Sequence, residues 1–172
     1  MGRVEDLEEA ITCHRQALAL FPHGYLNRST SLNNLATAMS TRFEQLGKTD
    51  DLEESITCHG QALVLQVHDH PGRSSSLNKL AYAVSARIKQ SGSKADLLDT
   101  VKYFSEAKNI LPTGHSHQSS VGLSLAILLI NSVVISPNWK KAFTVTKAFE
   151  LFEHAANHSP ASAKERFDAA VG

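Results

Sequence analysis

The chain is poor in residues that announce special chemistry. Two cysteines in 172 residues are too few for a disulfide framework. Charge of one sign is missing as well: 17 Lys and Arg offset 17 Asp and Glu, and the pI is about 7.1. There is no basic stripe and no run of like charge, so neither nucleic acid nor an anionic membrane is an expected partner. Long apolar runs are absent. The longest, LAILLI from Leu125 to Ile130, extended by VVI at 133–135, falls far short of the roughly 20 residues that span a bilayer. The N-terminal MGRVEDLEEA has no apolar core of the signal-peptide kind. These absences lead to the expectation of a soluble, cytoplasmic protein. Glycine-rich phosphate loops and the G-x-S-x-G elbow are also missing. The chain is therefore expected to be no enzyme and to carry no cofactor.

What is present is ordinary globular composition, 42% apolar and 20% charged, and a repeat. Asp6-Leu7-Glu8-Glu9 recurs as Asp51-Leu52-Glu53-Glu54 and as Asp96-Leu97-Leu98-Asp99. The period is about 45 residues, and the first two units share about 25 identities. The units run roughly 6–50, 51–95 and 96–143, with a partial fourth over 144–172.

Each unit holds two helical patterns. Leu7, Ala10, Ile11, His14, Ala17, Leu18 and Phe21 recur at the spacing of one α-helix face. Acidic residues fill the first turn, where they favour the helix dipole, and Pro22 and Gly24 end the pattern. A second set, Leu32, Leu35, Ala36, Met39, Phe43 and Leu46, predicts another helix. Ser29 or Thr30 is its expected N-cap and Gly47 its stop. In the third unit helices are expected over 96–112 and from 119 or 120 to about 135. A further helix fits KKAFTVTKAFELFEHAANHS, and a last short one follows Pro160. No segment alternates with period two, so the fold class is all-α.

The adjacent pairs Cys13-His14 and Cys58-His59 raise a zinc or thiol site. Their columns in the later units read Tyr103-Phe104 and Leu151-Phe152. A slot filled by Phe and Leu in the next unit is a packing slot. The expectation is that each Cys acts as a small hydrophobe and each His is hydrogen-bonded between helices. His68-x-His70 and His115-x-His117 make at best half a metal site, and His154 with His158 lacks the H-E-x-x-H order, so no metal is expected.

The columns Ala10, His14, Ala17, Pro22; Ser55, His59, Ala62, Val67; Thr100, Phe104, Ala107, Pro112; and Ala148, Phe152, Ala155, Pro160 resemble the second helix of the tetratricopeptide repeat. Leu32, Leu35-Ala36 and Met39, and again Leu77, Leu80-Ala81 and Val84, are similar to its first helix. The units are about eleven residues longer than the usual 34. In that length they resemble repeats of large fungal proteins, where such units accompany a caspase-like CHAT domain or a nucleotide-binding domain.

The resemblance implies an α-solenoid of antiparallel helix pairs wound into a right-handed superhelix, here a slice of a longer array. Stacking buries apolar faces that one pair cannot bury alone, with Ala10, Ala17, Ala36 and Ala81 letting helices approach. It also implies a concave groove lined by the first helix of each pair. The groove candidates are Asn33, Asn34, Thr37 and Ser40 in one unit and Asn78, Lys79, Tyr82 and Ser85 in the next. The matching third-unit positions are Leu123, Ser124 and Ile127. The expected function is a non-catalytic scaffold that binds a peptide or protein partner. The alternative is a sensor segment of a larger protein with a CHAT-type protease or nucleotide-binding domain. The family's clamp for acidic C-terminal peptides is not implied, because only Asn and one Lys stand at these positions. Apolar array ends add an expectation of self-association.

Overall fold

The computed structural model describes residues 4–20, 27–112 and 115–135. These residues form six helices and no strand: α1 (Val4–Leu20), α2 (Arg28–Leu46), α3 (Thr49–Leu65), α4 (Arg73–Ser91), α5 (Lys94–Ile110) and α6 (Ser116–Ile135). The helices α1, α3 and α5 start at residues 4, 49 and 94, so the sequence period is also the period of the helices. The expected fourth unit and the Pro22-Gly24 stop lie outside the described residues.

Glycine sets two of the turns. Gly47 at φ 68° and Gly92 at φ 62° end α2 and α4 in the left-handed region, which a Cβ disfavours. Their amides donate to the carbonyls of Phe43 at 2.7 Å and Ile88 at 2.8 Å. Two-residue connections then reverse the chain. Cross-helix contacts give the direction: Arg42 meets Asp51, Ser40 meets Ser55, and Asn33 meets His59, so α3 runs back along α2. Likewise Glu53 meets Arg87 and Leu63 meets Arg73 between α3 and α4. Each helix packs on the next in sequence.

Ser29 does not cap α2. The helix begins at Arg28, and its N-cap Asn27 makes no side-chain cap bond. Ser29 is buried, and its counterpart Ser74 donates to the Ala107 carbonyl of α5 at 2.8 Å. Ser74 thus faces a neighbouring helix, which takes it away from the helix end. In the third unit α5 begins at Lys94, where Ser93 caps by accepting from the Asp96 amide at 3.2 Å.

The core has two clusters. Ile11, Leu32, Leu35, Ala36, Met39, Cys58 and Ala62 form one. Leu77, Ala81, Phe104, Ala107, Val121, Leu125 and Ala126 belong to the other. Ala36, Ala81 and Ala126, one per unit, are each 0% exposed; a larger side chain there would push helices apart. Ala10 and Ala17 are only half-buried.

Polar staples repeat with the same period. Arg42 grips Asp51 with two bonds, at 2.7 and 2.6 Å, and lies 4.0 Å from Glu8. Arg87 grips Asp96 with two bonds at 2.8 Å and reaches Glu53 at 2.8 Å. Each set ties three consecutive helices. Arg28 donates to the Leu18 carbonyl and Arg73 to those of Leu63 and Gln66, satisfying helix C-termini. In the third unit Gln118 replaces the arginine and reaches the matching carbonyls of Lys108 and Leu111. Among the described residues no helix is long and apolar enough to cross a membrane.

Candidate functional site

The site is built from two equivalent helix faces with one helix beneath them. Thr37, Ser40, Thr41 and Glu44 lie along one face of α2. Lys79, Tyr82, Ser85, Ala86 and Lys89 lie along the corresponding face of α4. Between them is a groove of about 290 Å³, floored by Leu52 and His59 of α3. Its size is near the lower end of small-ligand pockets.

His59 is 1% exposed, and a relay of hydrogen bonds fixes its protons. Ser76 Oγ donates to the Gly72 carbonyl at 3.1 Å, so it accepts from Asn33 Nδ2 at 2.7 Å. That sets the amide, leaving Asn33 Oδ1 facing His59 Nδ1 at 2.8 Å. Since Oδ1 only accepts, Nδ1 carries the hydrogen and Nε2 is a bare lone pair. Burial, with Lys79 adding repulsion, lowers the His59 pKa to about 4, so the ring is neutral at pH 7.

The eight sequence-predicted residues divide. Thr37, Ser40, Lys79, Tyr82 and Ser85 line the groove; Asn33, Asn34 and Asn78 do not. Asn33 is buried in the relay and Asn34 is exposed. Asn78 is half-buried, and its Oδ1 is sealed in without a partner among the described residues. Tyr82 stacks edge-on against Phe104, with ring centres 5.4 Å apart, and its hydroxyl bonds Ser124. Leu123 is buried in the second core cluster.

Sequence reasoning missed Thr41, Glu44 and Lys89, although their spacing from Thr37 and Lys79 continues the same helix faces. It assigned His59 to the core, and the ring is indeed buried and bonded between helices, but it also floors the groove. The Arg42 and Arg87 staples were missed too, although Glu8/Glu53, Arg42/Arg87 and Asp51/Asp96 are identical columns of the repeat.

The Cys-His pairs are not equivalent in space. Cys58 is 7% exposed, and burial raises its thiol pKa, which disfavours the reactive thiolate. Cys13 is exposed and His14 half-buried, correcting the expectation that both pairs pack. No described helix covers that face of α1. His70 and His115 occupy matching positions, and each Nδ1 accepts a backbone amide two residues on, from Gly72 at 3.0 Å and His117 at 3.2 Å. His68 pairs with Asp69 on the surface. Among the described residues no group of three or more His, Cys, Asp or Glu could hold a metal ion. His154 and His158 lie outside the described residues. No protein-family model matches the chain, and no curated protein matches it.

Proposed function

We propose that the chain is a short tetratricopeptide-like α-solenoid acting as a non-catalytic scaffold, and that a peptide or protein partner binds between α2 and α4. The observation that carries this reading is the groove itself. Five of the eight residues chosen as groove-facing line one concavity. Contacts between like helices support the solenoid: Arg15 with Glu54, Asn33 with Ser76, and Tyr82 with Ser124. Tyr82 is 49% exposed yet held by Phe104 and Ser124. A pre-ordered aromatic of this kind contributes contact area at little entropic cost.

The test is selection of 12-residue peptides from a displayed library on the folded protein. Tyr82→Ala should weaken the selected peptides by at least about tenfold while the protein keeps its helical circular-dichroism spectrum. Undiminished binding to that variant would remove the groove from the account.

A further inference from the structure

The hydroxyls around the groove share one property: their protons are already committed. Thr37 Oγ1 donates to the Asn33 carbonyl at 2.7 Å, Thr41 Oγ1 to the Thr37 carbonyl at 3.0 Å, and Ser85 Oγ to the Tyr82 carbonyl at 2.7 Å. Ser55 Oγ donates to the Ala36 carbonyl at 2.8 Å, so the proton in the Ser40–Ser55 contact comes from Ser40. Ser124 donates to the Ser120 carbonyl, so the Tyr82 hydroxyl donates to Ser124. What these groups offer a ligand is lone pairs.

His59 Nε2 is a lone pair as well. It makes no hydrogen bond within the described residues, and His59 lines the groove. The side-chain cations of the groove are Lys79 and Lys89, and no ion pair joins either to a carboxylate among the described residues. The groove is therefore lined by both an acceptor, the imidazole, and a donor, the Lys79 ammonium.

We infer that this part of the groove recognises a neutral carboxamide, the side chain of a Gln or Asn in the bound peptide. Its N–H donates to His59 Nε2 and its carbonyl accepts from Lys79. The inference rests on the groove reading above and adds a chemical preference to it. A carboxylate would satisfy Lys79 but set its oxygens against the Nε2 lone pair. A guanidinium or ammonium would donate to Nε2 but meet the charge of Lys79. The other side of the same ring already shows the match: the Asn33 carboxamide accepts there with its oxygen and donates onward with its nitrogen. In the next unit the His59 position is Phe104, so the acceptor is not repeated between α4 and α6.

The experiment titrates protein carrying 15N-labelled histidine, at pH 7, with N-acetylglutamine methylamide and with its glutamate counterpart, reading the His59 Nε2 resonance. The glutamine probe should move that resonance and bind about tenfold tighter than the glutamate probe. His59→Phe, which puts the third unit's residue in the slot, should keep the fold and lose the preference. Equal or tighter glutamate binding overturns the inference, as does a preference that survives in His59→Phe. A silent Nε2, while a library-selected peptide still shifts the Thr37 and Tyr82 amides, removes the carboxamide and leaves the groove. If no peptide shifts those amides, both readings fail.

Discussion

Two asparagines in the same column of the repeat have opposite surroundings. Asn33 sits between His59 and Ser76. Asn78 has Phe104 and Val121 at the matching positions, and its Oδ1 is buried without a partner among the described residues. A buried carbonyl oxygen left unpaired costs about 1–3 kcal/mol. Asn78→Leu, the residue that the third unit carries at 123, should thus raise stability by about 1 kcal/mol in urea unfolding. Asn33→Leu should lower it by about 2 kcal/mol, because it strands the His59 Nδ1 hydrogen. Equal effects of the two substitutions would contradict the relay. The pH dependence follows from the same ring. With a folded-state pKa of about 4 against 6.5, folded His59 binds fewer protons than the unfolded chain between those values. Its contribution is complete above about pH 6.5 and declines as pH falls to 4, by on the order of 3 kcal/mol. Subtracting the stability profile of His59→Phe isolates that slope; parallel profiles would show that His59 titrates normally. The packing role of Cys58 and His59 was legible because Tyr103 and Phe104 fill their columns. The exposure of Cys13 was not, because a column records a residue's place in its own helix and not whether another helix covers it.

At the level of helices, the period, the all-helical class and the glycine stops could be read from spacing alone. The N-terminus of α2 could not, since the helix already begins at Arg28, which puts Ser29 inside its first turn. Nor could the arginine staples, whose partners lie on three helices. Arg42 holds the Asp51 carboxyl below its ordinary pKa, chiefly through their hydrogen bonds, and Asp51 is 5% exposed. Arg42→Met leaves that carboxylate buried and unpaired, and should cost about 3 kcal/mol in denaturant unfolding. A loss below about 0.5 kcal/mol would place the pair with ordinary surface ion pairs. Gly47 has open space around it but a φ of 68°, so Gly47→Ala should cost about 1 kcal/mol through backbone strain alone.

At the scale of the molecule, a two-residue turn from α2 to α3, a longer link over residues 66–72 and repeating staples set two like faces, on α2 and α4, on either side of α3. The sequence columns showed which residues are equivalent but not which helix faces oppose each other. That is why five groove residues were anticipated while the groove's floor was assigned to the core. The expected self-association belongs to this scale. Leu20, Val64 and Val67 are exposed, as is Cys13 on α1. Light scattering after size exclusion should give a mass above the monomer at tens of micromolar, on the order reached by weak apolar contacts; a clean monomer would exclude it. The central claim, that the partner sits between α2 and α4, is tested most directly by mapping backbone amide shifts on adding a library-selected peptide. The account predicts the largest shifts within residues 37–44 and 79–89, and their loss in Tyr82→Ala. Shifts confined to α1 or to the outer face of α5, unchanged in that variant, would contradict it.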